Sequence, residues 1–256
     1  APKMQRSHGE AAVVFANGRL RDLRQHGSAK AMMPRLRGVP EVVFLNTSGG
    51  LTSGDTLSYH VACDAGQRIV ATTQTAERAY RADHGPAHVR VHHRVGAGGH
   101  LDWLPQETIL FDRADLIRET VIDLEQDASC LMIEAVVLGR TAMGERVENL
   151  QFSDRRVVNR AGKPVLIEPL LLKSNILQKG PRAALWGEAR AMASLALVAQ
   201  GAEDALPALR HALAGLPAAD GVIAAASGFD GKITARFLAS DAWIMRRHIL
   251  CALDIL

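Results

Sequence analysis

Two glutamates interrupt the most apolar runs of this chain. Glu134 stands inside CLMIEAVVLG and Glu168 inside PVLIEPLLL, and an ionised carboxylate among such neighbours is costly to bury unless a partner compensates it. Strand alternation leaves two outcomes open: each glutamate faces solvent or pairs with an arginine, or both face an internal polar site. A third carboxylate, Asp55, ends the loop NTSGGLTSGD, Asn46 to Asp55. Gly49, Gly50 and Gly54 give this loop backbone angles closed to other residues and let a partner approach the main chain. Asn46, Thr47, Ser48 and Thr52 supply oxygens for local turns. The loop has no Lys-Ser/Thr ending of a P-loop and does not fit GxGxxG, so nucleotide binding has no support.

The run HVRVHH places His88, Arg90 and His92 on one strand face and His93 on the other. Two imidazoles on one face can bind a metal, but a third ligand at readable spacing is missing, and a surface strand is the expectation. The sequence contains neither HExxH, nor paired cysteines, nor GxSxG, which removes the familiar zinc and serine-hydrolase readings. LDWLPQETILFD, Leu101 to Asp112, reads as a bent strand with Trp103, Leu104, Ile109 and Phe111 in the core. Trp243, Ile244, Ile249 and Leu250 of the last helix fit the core better than a partner groove.

The elements that must position these residues are mostly strands. Short Val- and Leu-rich runs separated by Gly, Asp, Asn or Pro continue from Gly9 to about Leu172. The runs are Ala11 to Ala16, Arg19 to His26, Val42 to Asn46, Thr56 to Cys63, Gln67 to Thr73, His88 to Val95, His100 to Leu104, Ile117 to Leu124, Leu131 to Leu138 and Val165 to Leu172. Pro105 and Pro169 are expected at edges or bulges. No fixed repeat is evident, so a propeller or regular solenoid is not indicated. In the alanine-rich last third, helices are expected over 203–214 and 240–255, the second capped by Ser240 or Asp241, with strand patterning over 222–238 between them. The expectation is a mainly β fold, one domain over 1–256, with two helices in the C-terminal third.

Composition narrows the function. The chain has 256 residues, 48% hydrophobic and 22% charged, an ordinary globular balance. Its 30 basic and 27 acidic residues lie scattered rather than in a basic block, and aromatics are only 4%, so neither a phosphate-binding surface nor base-stacking platforms are supplied and no nucleic acid is expected. Cys63, Cys130 and Cys251 are few and widely spaced, which fits a reducing compartment, read here as the cytoplasm. No run has the length needed to cross a bilayer, so no membrane role is expected.

In combination, NTSGGLTSGD, ATTQTAERAYRA (Ala71 to Ala82), LDWLPQETILFD, LGRTAMGE (Leu138 to Glu145) and ITARFLASDAWIMRRHIL resemble, in order and over nearly the whole chain, the urease accessory protein family UreD, also called UreH. The sequence departs from the family pattern at Thr47, where proline is common, and at Glu77-Arg78, where a small residue followed by lysine is common. The resemblance implies a non-enzymatic maturation factor for a nickel enzyme. It implies binding to UreF, recruitment of UreG through UreF, docking on apo-urease, and two copies in the accessory complex. By matching position, Asp55, Glu134 and Glu168 correspond to acids proposed to line an internal nickel passage, with no permanently bound cofactor and nickel only in transit. Dispersed carboxylates suit that task, because a dense Cys/His cluster would hold nickel tightly and a conduit must release it.

Two other accounts fit the same residues. One is an all-β hydrolase using Glu134 and Glu168 as a carboxylate pair, for which sugar-stacking aromatics are scarce. The other is a purely structural adaptor whose buried acids only fix the fold through arginine pairs.

Overall fold

The structure is a computed structural model that describes residues 6–34, 38–140, 144–177 and 186–256. The centre of the LGRTAMGE motif, 141–143, and the first five residues lie outside these. In chain order the strands are β1 (His8–Ala16), β2 (Arg19–Gly27), β3 (Ala29–Met32), β4 (Glu41–Asn46), β5 (Thr56–Cys63), β6 (Arg68–Thr73), β7 (Glu77–Ala79), β8 (Ala87–Val95) and β9 (His100–Trp103). They continue with β10 (Thr108–Leu110), β11 (Ala114–Leu124), β12 (Ser129–Leu138), β13 (Leu150–Arg160) and β14 (Lys163–Lys173). After the single turn α1 (Ser174–Leu177) come β15 (Ala191–Val198), α2 (Leu206–Ala214), β16 (Ile223–Phe229), β17 (Lys232–Ala239) and α3 (Ala242–Leu253).

Two sheets face each other. One has the order β14-β13-β11-β8-β5-β1-β2, the other β16-β17-β15-β12-β9-β6-β4-β3. Between β4 and β13 the chain winds from sheet to sheet, so that β4, β6, β9 and β12 stack in parallel in one and β5, β8, β11 and β13 in the other. This coil has the path of a solenoid without its sequence repeat, because its rungs differ in length. Parallel stacking sets equivalent positions of successive rungs side by side: Ser58, Arg90, Glu119 and Arg155 form one such row on the outer face.

Strict alternation sorts the side chains. In β5 Leu57, Tyr59, Val61 and Cys63 point inward, and in β8 Ala87, Val89, Val91, His93 and Val95 do so, forming one core with Phe44, Leu101, Trp103 and Phe152 from other strands. A second core lies behind the other sheet, where Leu131, Ile133, Leu195, Leu197, Ile233 and Phe237 meet Leu209 of α2 and Met245, Ile249 and Ala252 of α3. β15 takes part in both cores, with Ala196 and Val198 in the first and Ala191, Ala193, Leu195 and Leu197 in the second. Pro169 sits in β14, an edge strand, opposite Arg155 of β13, as expected of a strand proline.

Several expectations are corrected. Pro105 follows β9 in an irregular link, and LDWLPQETILFD forms two strands, β9 and β10, instead of one bent strand. Trp103 and Phe111 are buried as expected, whereas Leu104 and Ile109 are half-buried and Leu110 takes the core position. In α3, Met245, His248, Ile249 and Ala252 face the sheet with helical spacing. That phase turns Trp243, 72% exposed, and Leu250 outward, where with Val70, Thr72, Ile133 and Ala135 they border a groove of about 590 Å³. Asp241 caps α3, accepting the backbone N–H of Trp243 at 2.7 Å and of Ile244 at 3.2 Å.

Replacing Asp241 with Ala should cost about 1 kcal/mol in urea unfolding. Asp102 gives a pH-dependent counterpart. Although burial pushes its carboxyl up, bonds from the His100 ring and the Arg68 guanidinium hold it below the usual carboxylate range. A depressed pKa stabilises the fold above the unfolded value, about 3.9, and the contribution disappears as pH falls through the folded value. Asp102→Asn should therefore be less stable than the parent at neutral pH and equal to it in strong acid, as read by melting temperatures across a pH series.

Candidate functional site

The space between the two sheets is apolar except along one line. On the first sheet, β11 points Arg118 and Thr120 inward between Leu116 and Ile122, β13 points Asp154 and Arg156 inward between Phe152 and Val158, and β14 points Glu168 inward between Leu166 and Leu172. Register sets Arg118 beside Asp154, Thr120 beside Arg156, and Arg156 beside Glu168. The facing sheet supplies a second row, Glu134 of β12, Ser194 of β15 and Arg236 of β17, again at paired positions.

The rows close into a ladder of ion pairs. Arg118 grips Asp154 with two parallel bonds, Nε to Oδ1 at 2.9 Å and Nη2 to Oδ2 at 2.8 Å. Its Nη1 reaches Glu134 Oε2 at 2.7 Å and the Thr108 hydroxyl at 2.9 Å. The other oxygen of Glu134 accepts the Trp103 indole N–H at 3.1 Å and lies 3.5 Å from the Thr120 hydroxyl. Arg156 lies 3.3 Å from Asp154 and 3.4 Å from Glu168, but neither Nε nor Nη1 is aligned for a hydrogen bond, so the middle of the ladder is slack. Glu168 accepts the Ser194 hydroxyl, 2.7 Å from Oε2, and Arg236 Nη2 at 2.7 Å on Oε1.

Three carboxylates thus meet three guanidiniums, and the formal charges cancel. All but Arg236, which opens to solvent, are less than a tenth exposed. Burial opposes charge on Arg118, but Asp154 and Glu134 outweigh it and raise its pKa, so Arg118 stays a cation. Burial raises the pKa of Glu134, and Arg118 pulls it back. Charges this deep persist only because each has an opposite charge within about 3.5 Å.

A cavity of about 70 Å³ reaches the ladder from outside. Glu134, Arg118, Thr108 and Trp103 border its inner end, and Asn46, Glu77 and Gln106 border its outer part. Such a volume holds about two water molecules at about 30 Å³ each. Asn46 Nδ2 lies 3.2 Å from both oxygens of Glu77. Burial lifts the Glu77 carboxyl above the usual range, partly offset by the Arg78 backbone N–H and by Asn46. The glycine loop fixes this rim: Leu51 exchanges backbone bonds with Arg78 and Tyr80. Gly50, at φ 150°, comes so close to Tyr80 and the Arg78 carbonyl that a Cβ there would collide with both.

Of the three acids singled out in the sequence, Glu134 and Glu168 belong to one ladder, linked through Arg118, Asp154 and Arg156. Asp55 stands apart from it. Its two oxygens accept the backbone N–H groups of Ser7 and Thr52, each at 2.8 Å, tying the glycine loop to the residue just before the first strand. His88, Arg90 and His92 lie on the outer face, and His92 pairs with Asp123 at 2.7 Å. His93 is fully buried against Trp103, and burial, with His60 and His92 nearby, holds its pKa well below the ordinary value. The three cysteines are free. Among the described residues no three His, Cys, Asp or Glu side chains converge as a ready-made metal site.

Asp154 and Arg156 escaped the sequence reading because β13 is charged at its centre, SDRR, and does not read as a strand; Arg118 lies in a run that was read as one, Ile117 to Leu124, but a single arginine there gives no sign of which face it takes. The usable signal was period two: Leu150, Phe152, Asp154, Arg156 and Val158 share one face.

The UreD urease accessory protein family model matches residues 7–256. The chain is 56% identical to the urease accessory protein UreD of Cereibacter sphaeroides, with 99% of this chain and 92% of the relative aligned. It is 49% identical to that of Paracoccus denitrificans, covering 99% and 90%, and 38% identical to that of Rhizobium leguminosarum bv. trifolii, covering 98% and 90%. With its motifs in family order and the match running through both sheets and the terminal helix, this chain belongs to the UreD urease accessory protein family.

Proposed function

We propose that this chain acts in urease maturation as a non-catalytic accessory protein of the cytoplasm. It works as one domain that binds a UreF-like partner, contacts apo-urease and lets nickel pass through its polar interior towards the enzyme. UreG joins through UreF, and the accessory complex holds two copies of the chain. The observation that supports the passage is a line of polar side chains: the cavity joins Glu77 to Glu134, and the ladder of ion pairs continues from Glu134 to the solvent-open Arg236. Carboxylates bind nickel more weakly than thiolate and imidazole clusters, so an ion entering such a route can also leave it.

The arginine pairing of every ladder acid also favours the adaptor reading, in which the ladder only fixes the two sheets. The hydrolase reading is less well supported, since the cavity borders Glu134 but not Glu168, and arginines stand between the two acids.

Glu168→Gln separates conduit from adaptor, because an amide keeps bonding capacity toward Ser194 and Arg236 while removing the charge. Co-expressed with urease and its accessory proteins, this variant should still co-purify with them, while urease nickel content and activity fall several-fold. Its stability should drop by about 2 kcal/mol. Ser194→Ala is the control: it loses one hydrogen bond to the same carboxylate, about 1 kcal/mol, and should leave nickel loading near normal. If nickel loading simply follows stability across both variants, the adaptor reading replaces the passage.

A further inference from the structure

Four oxygens converge on the guanidinium of Arg118: Glu134 Oε2, Asp154 Oδ1 and Oδ2, and Thr108 Oγ1, all within 2.9 Å of one of its nitrogens. Two carboxylates and a hydroxyl around one cation form a donor set that suits hard and borderline divalent metals as well as it suits arginine. The oxygens also have supports of their own. Trp103 and Thr120 hold the second oxygen of Glu134, and Arg156 stands 3.3 Å from Asp154. Both carboxylates therefore keep an anchor when Arg118 leaves, the outer-shell support that orients ligands in metal sites. The cavity opens onto this same cluster, bordered by Arg118, Glu134 and Thr108 and offering room for an ion with about one water.

We propose that Glu134, Asp154 and Thr108 form a latent site for a divalent cation, and that Arg118 is its resident occupant. The cation enters by the cavity, takes the carboxylate oxygens and displaces the guanidinium, and Arg118 closes the site again when the ion moves on. Around the two carboxylates a guanidinium leaves a net charge of −1 and a divalent ion leaves none, and because the ladder as a whole is neutral with Arg118 in place, the displaced guanidinium swings into the cavity, which Glu77 also borders, for the exchange to balance. The slack contacts of Arg156 mark where the ladder yields as the ion advances towards Glu168. This inference rests on the passage reading and assigns its selective step to one cluster.

The test removes the occupant and asks whether a cation replaces it. In the purified chain, Arg118→Met leaves the two carboxylates unmatched, and nickel should raise its melting temperature by about 5–10 °C at a concentration near a hundred times the dissociation constant. The parent should shift far less, and Arg118→Met combined with Asp154→Asn should lose the gain. Arg118→Lys, which keeps a charge but cannot bridge both acids in the same way, should show an intermediate shift. A folded Arg118→Met protein with no nickel-dependent shift beyond the parent's overturns the proposal. So does a variant that stays unfolded with and without nickel, because a latent cation site must be rescued by the cation. Nickel binding by Arg118→Met alongside normal urease loading by Glu168→Gln would retain the site and reject the passage.

Discussion

The bond between Arg118 and its two carboxylates is the constraint around which the interior is arranged. A guanidinium less than a tenth exposed needs opposite charge close by, and for Arg118 it comes from both sheets at once: Asp154 on its own, Glu134 on the other, with the Thr108 hydroxyl beside them. Apolar packing alone would let the sheets slide over each other at modest cost. A two-toothed bond to Asp154 and a third to Glu134 have one geometry, so the charged line fixes the register of sheet on sheet while the leucines, valines and aromatics around it supply the burial. In net stability such a ladder is worth little more than well-packed hydrocarbon, since the desolvation of its charges offsets most of their attraction. Its contribution is therefore one of register more than of net stability.

Much of the fold was legible in the sequence, and the exceptions are instructive. β5 was read with its exact ends because TLSYHVAC alternates cleanly, and the α3 cap was visible as an aspartate before an amphipathic run. β13 was missed because its inward residues are charged, so the pattern that marks a buried strand was inverted at the site itself. β15 was missed for the opposite reason: AMASLALV is rich in alanine, a helix former, and only its place between β12 and β17, with cores on both sides, makes it a strand. The coil of parallel rungs was invisible because nothing repeats at fixed length.

The site was legible in part. Glu134 and Glu168 announced themselves as charges in apolar runs, and the structure puts both on the ladder. Asp55 was singled out on the same chemistry, yet its carboxylate is consumed by two backbone N–H groups of the glycine loop. Nothing in one sequence distinguishes an acid that holds a turn from one that borders a cavity. Glu77 shows the converse: a departure from the family pattern, it sits at the cavity mouth with its carboxyl held by Asn46.

The parallel coil also governs how the chain reaches this state. Each of its ladders joins strands separated by a whole turn of the coil, so few contacts are local, and folding must close long loops before pairing rewards it. The charged line adds a further delay, since Arg118 and Arg156 lose their water only when β11, β13 and the opposite sheet are all in place. Until then the nascent protein carries an open, hydrated seam between two unfinished sheets, with unpaired strand edges exposed to neighbouring chains. Recovery of folded material should accordingly depend on dilution and on the rate of synthesis more than on the final stability of the product.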